Sequence, residues 1–117
     1  MQIKNRDLEL KLNLARNSAK EGLVKTTLIY LDEAKRYANK IGMEIPKKIV
    51  FEIENTALRK GIESALSFAE LKANEGSINK ERIFEILNYL SEAKEYAARI
   101  GVDISDRVRK IEEMLKK

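Results

Sequence analysis

Apolar residues return at helical intervals along most of the chain. Leu8, Leu12, Ala15 and Ala19 fall at i, i+4, i+7 and i+11, one face of a 3.6-residue period. Asn5 stands ahead of this stripe as an N-cap, and Gly22 stands where the helix must stop. A second helix is expected from about Lys25 to Ile41, ended by Gly42. A third begins at Pro46, a residue suited to a first helical turn. From there to Gly76 no proline recurs and only Gly61 interrupts, which predicts one long helix with Gly76 as its stop. A helix of about 30 residues is about 45 Å long, so it either kinks near Asn55–Gly61 or serves as a spine. A fourth helix is expected from about Lys80 to Ile100. Asn79 is its N-cap, Ile78 and Ile83 form a hydrophobic staple across that cap, and Gly101 is its stop. The fifth starts at Ser105 and carries Ile104, Val108, Ile111 and Leu115 on one face.

The pattern is written twice. "YLDEAKRYANKIG" runs from Tyr30 to Gly42, and "YLSEAKEYAARIG" from Tyr89 to Gly101. Residues 28–46 match 87–105 at eleven of nineteen positions without a gap. Upstream the offset falls from 59 to 54: Leu12 meets Leu66, Ala15 meets Ala69, and Gly22 meets Gly76. Five extra residues therefore follow Gly76, where a loop tolerates them. The expected fold is all-α: a five-helix array from a tandem duplication of a helical unit, sharing a long middle helix over about 46–75. The expectation is a single domain over 1–117, with repeats at about 6–58 and 60–117 in a quasi-twofold or short solenoid-like arrangement. These offsets do not fit the roughly 34-residue period of tetratricopeptide arrays.

Composition narrows the chemistry. Cysteine, histidine and tryptophan are all absent. A disulfide framework, a thiolate nucleophile, a Cys/His zinc site and the commonest general base go with them. Ser or Thr catalysis would need a Lys or carboxylate base, and nothing singles one out. Carboxylates are the remaining metal ligands. Glu92 and Glu95 have the spacing for a magnesium site, but the first copy has Arg36 in place of Glu95, and Asp103 and Asp106 read better as caps. The expectation is a non-enzymatic protein with no cofactor and no metal. No apolar run approaches the roughly 20 residues that span a membrane, and "MQIKNRDLEL" lacks a signal-peptide core, so a cytoplasmic location is expected. High Lys, Glu and Ile without Cys is a thermophile's composition, against which stand eight Asn.

Net charge is +4, with 11 basic and 8 acidic side chains in residues 1–58 and 12 and 11 in 59–117. Mixed charge of this kind usually marks a solvated face laced with i,i+4 pairs, such as Asp7–Lys11, Asp32–Arg36, Glu44–Lys48 and Asp106–Lys110. Two surfaces compete for function. Tyr30, Tyr37, Tyr89 and Tyr96 are all the tyrosines, and they recur seven residues apart on the repeated helix. With Lys35 and Lys94 they suggest an aromatic groove for another protein or a second copy of the chain. The bland alternative is core packing with each hydroxyl at the rim. Lys47, Lys48, Arg107, Arg109 and Lys110 supply the alternative function, nucleic-acid binding through the third helical piece of each copy. Interleaved acids and the lack of aromatic stacking positions weigh against it. The expected function is a helical interaction module, an adaptor or scaffold.

Overall fold

The computed structural model describes residues 5–75 and 79–116. They form α1 (Arg6–Lys20), α2 (Val24–Lys40), α3 (Lys47–Asn74), α4 (Lys80–Ile100) and α5 (Ser105–Leu115), with no strand among the described residues. No helix of these residues is long and apolar enough to cross a membrane. The chain divides into two compact units, Met1–Lys60 and Gly61–Lys117. Gly76 and Ile78, and with them the expected stop and staple, lie outside the described residues.

In the first unit Asn5 caps α1, its side-chain oxygen accepting from the Leu8 amide at 3.0 Å. The predicted stripe of Leu8, Leu12, Ala15 and Ala19 is buried, with Ser18 beside it. The helix stops because Gly22 adopts a left-handed φ of 74°. Leu23 N–H then reaches back to Ser18 C=O, and Gly22 N–H to Ala19 C=O. These two bonds close the Schellman motif and satisfy carbonyls the helix leaves free. The turn lets α2 fold back along α1 as a helical hairpin. The buried face of α2 is Val24, Thr27, Leu31, Ala34 and Ala38.

One polar contact sits inside this hairpin. Ser18 and Thr27 are buried with their hydroxyl oxygens 2.8 Å apart, while Ser18 Oγ contacts Ala15 C=O and Thr27 Oγ1 contacts Leu23 C=O. Two hydroxyl hydrogens serve three short oxygen contacts, so neither hydroxyl is left without a bond.

Gly42 repeats the first stop, with φ 73° and Met43 N–H donating to Ala38 C=O at 2.8 Å. Pro46 sits one residue earlier relative to its helix than expected. Its carbonyl accepts from Ile49 and Val50, which makes it the cap that precedes α3 rather than the first helical residue. The helix that follows passes through Gly61 without a break in assignment.

The second unit takes its core from Ile62, Ala65, Leu66, Ala69 and Ala73 of α3, Ile86, Leu90, Ala93, Tyr96 and Ala97 of α4, and Val108 and Ile111 of α5. Asn79 caps α4 by accepting from the Arg82 amide at 2.9 Å. Gly101 at φ 68° ends it, and Val102 N–H bonds back to Ala97 C=O. Asp103 receives both the Ser105 amide, at 2.9 Å, and the Ser105 hydroxyl, at 2.6 Å, at the start of α5. Those two bonds hold its carboxyl below the usual carboxylate range.

The left-handed glycines separate two causes of intolerance. A Cβ at Gly22 would lie 3.1 Å from the carbonyl carbon and Cβ of Lys60, whereas one at Gly42 or Gly101 meets nothing within 4 Å. Gly42→Ala should cost about 1 kcal/mol for the left-handed backbone alone. Gly22→Ala should cost about 1–3 kcal/mol more, because a crowded site must also shift. Urea midpoints of the two variants check this, and equal losses would refute the close approach.

Candidate functional site

A concavity lies wholly in the first unit. It is a groove of about 450 Å³ between the C-terminal half of α2, the turn after it, and the first two turns of α3. Its floor is apolar: Ala38, Met43, Ile45 and Val50. Ala38 is fixed there by the buried face of α2, and Met43 by the Schellman turn at Gly42. Phe51 stands at the lip and is 66% exposed. Lys35, Lys47, Glu44 and Glu54 line it as well, two charges of each sign. A smaller hollow of about 200 Å³, lined by Arg16, Lys20, Ile49, Glu52, Ile53 and Thr56 among others, also belongs to this unit. Arg16 in it is already held by Glu9 at 2.7 Å and Asn13 at 2.8 Å.

The structure distributes the tyrosines rather than gathering them. None lines the groove. Tyr37 packs toward α1: its hydroxyl lies 3.4 Å from an Asp7 carboxylate oxygen, and Lys11 Nζ sits 5.5 Å above the ring centroid. Asp7 and Lys11 thus both engage one ring. Tyr89 stacks on Phe68 with centroids 5.6 Å apart. Tyr30 is half-buried. Tyr96 is a core residue, 5% exposed. Burial, and then the adjacent Glu92 and Glu95 carboxylates, push its phenol up to about 12, against a smaller opposing effect of Arg99. Of the two lysines read with the tyrosines, Lys35 lines the groove and Lys94 is exposed on α4.

The five basic residues also divide. Lys47 lines the groove. Lys48 and Lys110 are exposed. Arg109 pairs with Asp106 at 2.7 Å, an i,i+3 contact that takes the carboxylate expected to serve Lys110. Arg107 joins α5 to α3: Nη1 donates to Glu63 at 2.6 Å, and Nε and Nη2 both donate to Glu70, at 3.1 and 3.0 Å. Hydrogen bonds to Glu63 and Glu70 outweigh partial burial and raise its pKa further, so the charge is permanent and already matched. A phosphate would have to displace two carboxylates to use it. Of the expected i,i+4 pairs, Asp32–Arg36 closes at 3.0 Å. Glu44 cannot pair with Lys48 in this way because it lies in the turn before α3 begins.

Glu92 and Glu95 are exposed. Among the described residues no three His, Cys, Asp or Glu side chains converge closely enough to hold a metal ion.

Sequence reasoning missed Phe51, Val50, Met43 and Ile45. A signal was present. Lys47, Val50, Phe51 and Glu54 form an i, i+3, i+4, i+7 stripe, and Phe51 lies off the face that Ile53 and Ala57 bury. A large apolar residue off the buried face deserves a surface explanation when it adjoins other apolar groups.

The environment of Tyr96 predicts its titration. The folded state holds this proton more tightly than the unfolded chain, whose tyrosines ionise near pH 10. The resulting stability is complete below pH 10 and is lost as pH rises toward about 12. With no tryptophan in the chain, absorbance at 295 nm should show a tyrosine ionisation near pH 12 that Tyr96→Phe deletes. Its absence from the native protein would mean that Tyr96 is not enclosed.

Comparison with known proteins finds no matching family model, no matching curated protein and no matching solved structure.

Proposed function

We propose that this chain is a non-enzymatic helical interaction module that takes the apolar face of a helix into the groove between α2 and α3 of its first unit. One observation carries the reading: a phenylalanine two-thirds exposed at the lip of an apolar-floored groove. Leaving such a ring in water forgoes about 1.5–3 kcal/mol of burial, and a partner helix recovers it. The charges at the groove suit a polar rim around an apolar centre.

We also propose that the two units are copies of one ancestral helical unit and that α3 is their shared middle helix. Aligned positions support this. Leu31 and Leu90, Ala34 and Ala93, and Ala38 and Ala97 are all buried, as are Leu12 with Leu66 and Ala15 with Ala69. Gly42 and Gly101 share the left-handed stop. On this reading the groove belongs to one copy. The second copy aligns Arg109 and Lys110 with Val50 and Phe51, which replaces the apolar lip with two cations.

Displayed amphipathic helical peptides selected on the purified chain test the proposal. Bound peptides should move the amide resonances of Met43, Ile45, Val50 and Phe51, and Phe51→Glu should weaken them at least tenfold, the effect of losing an aromatic anchor of about 2 kcal/mol. Shifts confined to other surfaces, or peptides indifferent to Phe51→Glu, would overturn it.

A further inference from the structure

The outward stripe on the first two turns of α3 has the same spacing from either end and opposite charges at its ends. Lys47, Val50, Phe51 and Glu54 share one side of the helix, and the positions mirror one another about a centre between Val50 and Phe51. A cation stands at one end, a carboxylate at the other, and two apolar side chains lie between them. Lys47 and Glu54 are separated by about 10.5 Å of helix and do not pair with each other. Neither takes an ion-pair partner among the described residues.

We infer that the occupant of the groove is a second copy of this chain, docked across a two-fold axis that crosses α3 at Val50–Phe51 with the two helix segments antiparallel. The inference rests on the groove being an interaction site and names what fills it. A two-fold interface requires a self-complementary patch, in which residue i meets j and j meets i. This stripe meets that requirement in charge and in the spacing of its side chains. Antiparallel docking sets Lys47 against Glu54 of the second copy at both ends. It crosses each Phe51 over the Val50 of the other copy, beside the floor formed by Met43 and Ile45. Parallel docking would set Lys47 against Lys47 and Glu54 against Glu54, so charge selects the direction. Lys35 and Glu44 add one more charge of each sign and keep the patch neutral as a whole.

Size sets the strength. Ten residues line the groove in each copy, against roughly 20–30 a side in a standard stable interface. The dimer is therefore reversible, with a dissociation constant of about micromolar or weaker.

Analytical ultracentrifugation of the full chain from about 1 μM to about 1 mM tests this directly. The wild type should move from monomer to dimer across the range. Phe51→Ser should weaken association about a thousandfold, because the aromatic anchor is lost at each of two equivalent places. Phe51 is exposed, so an unchanged helical circular dichroism spectrum verifies that the variant still folds. Lys47→Glu alone and Glu54→Lys alone should each weaken association roughly tenfold, because both ends of the interface then carry like charges. The double variant Lys47→Glu/Glu54→Lys should restore it, an outcome that a partner of any other kind would not produce. A wild type that stays monomeric throughout refutes the dimer while leaving a different protein as the occupant, which the peptide mapping decides separately. A dimer indifferent to Phe51→Ser refutes the surface, and charge variants that the double exchange fails to rescue refute the antiparallel register.

Discussion

Close helix contact is the constraint on which each unit depends, and alanine sets it. Ten of the 24 buried apolar residues are alanines, and they recur on α1 through α4. The distance between packed helices follows the size of the side chains at the contact. An alanine face permits near approach, which brings Leu12, Leu31, Leu66 and Leu90 to almost complete burial. It also leaves the phenylalanines outside. Phe51, Phe68 and Phe84 are all of the phenylalanines, and each is more than half exposed. The same close packing that stabilises the units therefore supplies the aromatic surface outside them.

Helices and their ends were legible in the sequence because their causes are local. Asn5 and Asn79 cap through their own side chains, and Gly22, Gly42 and Gly101 stop helices by a backbone conformation that glycine adopts at little cost. Periodicity identified the buried leucines and alanines for the same reason. Pro46 was placed one residue off, since a proline suits either the cap or the first turn, and only the hydrogen bonds from Ile49 and Val50 decide between them.

The tyrosines were not legible in this way, because a ring's environment is set by the helix it meets. Tyr37 and Tyr96 occupy aligned positions in near-identical words. Tyr37 meets Asp7 and Lys11 and stays half-buried. The residues aligned with Asp7 and Lys11 in the later matching stretch are Gly61 and Ala65, both buried and both uncharged. Tyr96 is enclosed accordingly. Arg107 teaches the same lesson for charge. Its aligned partner Lys48 is exposed, while Glu63 and Glu70 align with Glu9 and Arg16, which satisfy each other. The cation that matches the acidic residues of one helix lies on that same helix in the first case and on a different helix in the second, and no count of basic residues could reveal it.

The contact between Gly22 and Lys60 bears on how such a chain diverges. The atoms that a side chain at 22 would strike are the carbonyl carbon and oxygen of Lys60, which every residue possesses, and its Cβ, which only glycine lacks. Two of these atoms are backbone, so no change of amino-acid type at position 60 relieves the crowding, and none is needed while 22 remains glycine. Descendants of this sequence are free to drift at 60, where the Lys60 side chain is exposed, and are bound at 22. Such a contact does not couple the residue type at one position to that at the other, so it would be invisible to a search for co-varying positions.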